Sequence, residues 1–74
     1  MTSTRVPGVR ARALRRAAEI LGGEVKLSRY LRVSVLSVTV WMAGAEVPPT
    51  DVFLKAVDVI TDRDLDELRR SHEQ

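Results

Sequence analysis

With 74 residues and no cysteine, the chain can build one small core held by packing alone, since neither a disulfide framework nor a thiolate metal site can reinforce it. A core of that size leaves little room for a ligand pocket of several hundred cubic ångströms, which argues against an enzyme, a small-molecule substrate or a bound cofactor and favours function at a surface. The net charge of +2 is unevenly divided, with eight basic residues against Glu19 and Glu24 as far as Arg32 and four basic against eight acidic residues after it; the basic half would meet an anionic polymer first, although solvated arginine-bearing helix faces would give the same count.

Residues 1–8 combine Ser, Thr, Pro and Gly with almost nothing apolar. They cannot repay the entropy of being ordered, and the sequence predicts a flexible basic arm there, followed by a single domain over 9–72. From Val9 the spacing Leu14, Ala17 or Ala18, Leu21 recurs at three to four residues, while Arg12, Arg15, Arg16 and Glu19 turn elsewhere. That is an amphipathic helix, ended by Gly22-Gly23. A second, short helix is predicted from Glu24 to Leu31, burying Leu27 and Leu31 at an i, i+4 spacing.

Local propensity and context disagree over Val33 to Met42. Val33, Val35, Val38, Thr39 and Val40 are branched at Cβ and read as a strand. Against that, Ser34 stands as an N-cap immediately before the run, Val38 and Trp41 fall on one inward stripe, and Gly44 stops it. A lone strand among helices would also lack a pairing partner, so a helix is predicted. The turn Ala45-Glu46-Val47-Pro48-Pro49 follows, with Thr50 as the cap of a helix carrying Val52, Phe53, Ala56, Val57 and Ile60. Thr61 or Asp62 is predicted to restart the chain as a final short helix. Leu65 and Leu68 would pin it down, with Asp62 and Asp64 at its positive end and Arg69 and Arg70 at its negative end; the chain should fray beyond Ser71. The expected fold class is thus all-α, a compact four- to five-helix domain containing a helix-turn-helix. No apolar run has signal-peptide or membrane-spanning length, and a cytoplasmic protein without a membrane partner is expected.

The run Leu27-Ser28-Arg29-Tyr30-Leu31-Arg32-Val33-Ser34, continuing Val35-Leu36-Ser37-Val38-Thr39-Val40-Trp41-Met42-Ala43-Gly44, resembles the helix-turn-helix of Cro-type phage repressors and their small bacterial relatives, antitoxin-type regulators included. The wider stretch from about Ala13 to Ile60 is similar to that family too. The resemblance implies that Leu27, Leu31, Val33, Val38 and Trp41 are buried, that Ser28 is small because two helices cross there, that Ser34 caps the recognition helix and that Gly44 stops it. Arg32 stands where the family commonly has a glycine in left-handed backbone, at a cost of about 1 to 2 kcal/mol.

The resemblance further implies double-stranded DNA as partner and transcriptional regulation as role. It places Val35, Leu36, Thr39 and Val40 toward base edges, Ser34 and Ser37 near phosphates, and Arg29, Arg32, Arg12 and Arg16 as phosphate contacts. Bidentate base contacts need Arg, Lys, Asn or Gln, and this helix has none of them. Affinity is therefore expected to be directed mostly at phosphates. The alternative is that Leu36, Val40 and Ala43 form an apolar stripe for a protein partner or a second copy of the chain. His72 has no second His or Cys near it in sequence, and Asp62, Asp64, Asp66 and Glu67 spread over more than one helix face, so no metal site is expected. No phosphate-cradling loop, nucleophile elbow or catalytic triad pattern is present, and no catalytic residue is assigned.

Overall fold

The computed structural model describes residues 8–72, with the side chain of His72 excepted. The arm predicted over 1–8 therefore lies outside the described residues but for Gly8, which is the N-cap of the first helix. The fold is all-α, with four helices in the order α1 (Val9–Leu21), α2 (Glu24–Leu31), α3 (Val35–Met42) and α4 (Thr50–His72).

α1 buries Ala11, Leu14, Ala17 and Ala18, the stripe that its apolar spacing predicts. Gly22 and Gly23 close it with φ of +106° and +135°, and both amides donate to the Ala18 carbonyl, at 2.9 and 2.8 Å. Two consecutive positive φ values need residues without a Cβ, which is why the chain can turn straight into α2. α2 buries Leu27, Leu31 and, at the polar end of the scale, Ser28, whose hydroxyl donates to the Val25 carbonyl at 2.7 Å.

Arg32 takes the left-handed conformation, φ +61° and ψ +44°. The Val33 amide then reaches back to the Ser28 carbonyl at 3.0 Å, closing α2 before α3 begins. α3 is helical despite its branched residues. Ser34 accepts the Ser37 amide at 3.1 Å, satisfying one of the amides that a helix start leaves without a partner. Val38 is completely buried, and that burial outweighs the modest cost of β-branched residues in a helix. Trp41 and Val33 pack against the core only partly buried, so the deepest inward side chain of α3 is Val38 and not Trp41. α3 packs against α2 and α1, and α1 packs against α4. The core joins Leu14, Ala17, Leu27, Leu31, Val38, Val52, Ala56 and Val59.

α4 corrects the predicted ending in three respects. Thr50 is its first helical residue and no cap; the Phe53 amide bonds the Pro49 carbonyl at 3.0 Å. The helix then continues for 23 residues without restarting at Thr61 or Asp62, because no Gly or Pro interrupts 50–72 and Arg63 pairs with Glu67 at 3.0 Å one turn on. Leu65 and Leu68 do not join the core; they are 53% and 56% exposed, and every residue from 61 to 71 is exposed. Among the described residues no helix is long and apolar enough to cross a membrane.

Candidate nucleic-acid interface

α3 is positioned by contacts on three sides. Its N-terminus is fixed by Ser34 and its middle by Val38. Its C-terminus is fixed by Arg15 of α1, whose Nε donates to the Met42 carbonyl at 2.9 Å and so satisfies one of the carbonyls that a helix end leaves open. The loop beyond it is held in the same manner. Arg10 donates to the Pro48 carbonyl at 3.0 Å while its guanidinium lies 5.2 Å from the Phe53 ring centroid, a cation–π distance. Arg10 and Arg15 thus serve the scaffold. The sequence reading did not find these roles, since the partners lie 38 and 27 residues away and nothing local distinguishes such arginines from solvated ones.

At 100° per residue, with Val38, Trp41 and Met42 turned to the core, the side of α3 opposite Val38 carries Leu36 and, partly buried, Val40, with Thr39 on its flank, while Val35, though exposed, lies only about 60° round the helix from Val38, on the Met42 side. Of the four predicted base-facing residues, Leu36, Thr39 and Val40 thus lie toward the outward side, and Val35 stands at its margin. Leu36 is the most prominent, at 72% exposed. Thr39 is the only hydrogen-bonding side chain among the four, and its hydroxyl is engaged within the chain, at the surface. It lies 2.8 Å from the Glu24 carboxylate and 3.0 Å from the Val35 carbonyl, two acceptors for its single proton. The outward face is accordingly apolar, with the Glu24 carboxylate beside it.

The residues predicted to contact phosphates divide into three groups. Ser34 and Ser37 are engaged with each other: Ser34 Oγ accepts the Ser37 amide and donates to Ser37 Oγ at 3.0 Å. Arg29 and Arg32 come together around the C-terminal end of α2, immediately before α3. Both are exposed, and among the described residues no carboxylate lies within ion-pair distance of either. Arg12 and Arg16 stand one turn apart on the exposed side of α1, where Arg16 pairs with Glu19 at 3.3 Å and no hydrogen bond or ion pair links either to α2 or α3. Among the described residues no group of three His, Cys, Asp or Glu side chains is placed to hold a metal.

No family model matches the chain, and neither does any curated protein or any solved structure.

Proposed function

We propose that the chain is a non-catalytic, cytoplasmic DNA-binding domain of Cro-like helix-turn-helix type, acting as a small transcriptional regulator. Arg29 and Arg32 grip phosphates at the entrance to α3, Arg12 adds a further phosphate contact from α1, and the outward face of α3 lies in the major groove. The observation that carries this reading is the α2–turn–α3 unit itself. It holds α3 rigidly by its buried side, leaves the other side exposed, and sets two arginines without carboxylate partners just ahead of it. Val35, Leu36 and Val40 offer contact with thymine methyl groups and no hydrogen bonds, so binding is directed mostly at phosphates and weakly selective among duplexes.

A second reading is favoured by the 72% exposure of Leu36 and by the engagement of the Thr39 hydroxyl with Glu24: the same face would dock an apolar protein surface. Fluorescence anisotropy of a labelled random-sequence duplex separates the two. The first reading expects saturable binding by the native protein and its loss in a Leu36→Asp/Val40→Asp variant, whose carboxylates would face the duplex. Neither residue is fully buried, so the variant should keep its helical circular dichroism. A native protein that fails to bind duplex at low salt overturns the DNA reading and leaves the second.

A further inference from the structure

We propose that α4 pairs antiparallel with α4 of a second copy of this chain, along the side of the helix opposite the core. Val52, Ala56 and Val59 mark the buried side. At 100° per residue, Leu54, Thr61, Leu65 and Leu68 cluster within about 60° of one another on the far side. The three leucines are 54%, 53% and 56% exposed. The positions 54, 61 and 68 repeat every seven residues, the period of helices that pair along a seam. This stripe is separate from α3, and the inference does not depend on the DNA reading.

The stripe also has the symmetry of a self-pairing surface. With a two-fold axis at Thr61, Leu54 faces Leu68 of the second copy and Thr61 faces itself. A two-fold contact requires such self-complementarity. The flanking charges choose the direction. Antiparallel, Asp51 falls beside Arg69 of the second copy and Lys55 beside Asp66, each pairing occurring twice. Parallel, the acidic run from Asp62 to Glu67 would lie level with its own duplicate. One opposing contact remains, Asp58 against Asp62 near the axis. The second copy also accounts for the helix from 61 to 71, in which every residue is exposed in one chain although Asp62, Asp64 and Asp66 are poor helix formers. The seam covers about 21 Å of helix axis, shorter than a standard interface demands, so the association belongs to the micromolar regime.

Sedimentation equilibrium of the full chain from micromolar to millimolar concentration should show a monomer–dimer equilibrium. Leu65→Glu should weaken it at least about tenfold with its circular dichroism retained, and Asp58→Asn should strengthen it. Direction is read from crosslinks, because the chain has no cysteine of its own. A mixture of Leu54→Cys and Leu68→Cys chains should form the mixed disulfide in preference to either like pair. Thr61→Cys, which leaves the leucines in place, should crosslink to itself. A monomer across the whole range, or like-with-like disulfides from the mixture, overturns the proposal.

Discussion

Arg32 shows how one residue can set two properties against each other. Its φ of +61° lies where a Cβ is costly, whereas in the proposed DNA-binding role its guanidinium meets a phosphate. Arg32→Gly should therefore raise stability by about 1 kcal/mol, a gain of about 4 to 8 °C in Tm for a domain of this size, while weakening DNA binding. Calorimetry and anisotropy on the same sample check both halves, and a lowered Tm contradicts the strain account. Leu27, completely buried, behaves differently: Leu27→Ala should cost about 2 to 5 kcal/mol by urea titration. Trp41 is only partly buried, so Trp41→Ala should fall below the full 3 to 5 kcal/mol of a large aromatic truncation, and its native fluorescence should be that of an indole in partial contact with water.

The short α3 is a helix by context more than by propensity. Ser34→Ala should cost about 1 kcal/mol in thermal unfolding, the usual loss for an N-cap, and a neutral result would show that Val38 alone holds the helix. The beginnings and ends of α1, α2 and α3 were legible because glycines and a capping serine punctuate them: Gly22-Gly23, Arg32 in place of glycine, Ser34 and Gly44. α4 was not, because the change from a buried stripe to an exposed one at Ile60 looks in sequence like a change of element. No breaker marks it, and none exists. Leu65 and Leu68 carry the same three-to-four-residue spacing whether they face the core or the solvent, so periodicity found their helix and misjudged what they touch. The exposure of Leu36, opposite Val38, follows from helical phase, whereas the turning of Thr39 toward Glu24 required the fold that brings α2 and α3 together.

The charge asymmetry of the chain survives folding in reduced form. Arg10 and Arg15 are spent on carbonyls and Arg16 on Glu19, leaving Arg12, Arg29 and Arg32 among the exposed arginines without a carboxylate partner in the described basic half. If α4 pairs as proposed, amide exchange over 62–71 should slow as protein concentration rises, whereas exchange in α1 should not change. The most direct test of the DNA reading is the salt dependence of binding to random-sequence duplex, for the native chain and for Arg29→Ala/Arg32→Ala. Each phosphate contact contributes about 0.9 to the slope of log K against log salt. The double variant should therefore bind all sequences more weakly, with a slope shallower by about 2. A native slope near zero, or one that the double replacement leaves unchanged, would contradict phosphate-directed binding through these arginines.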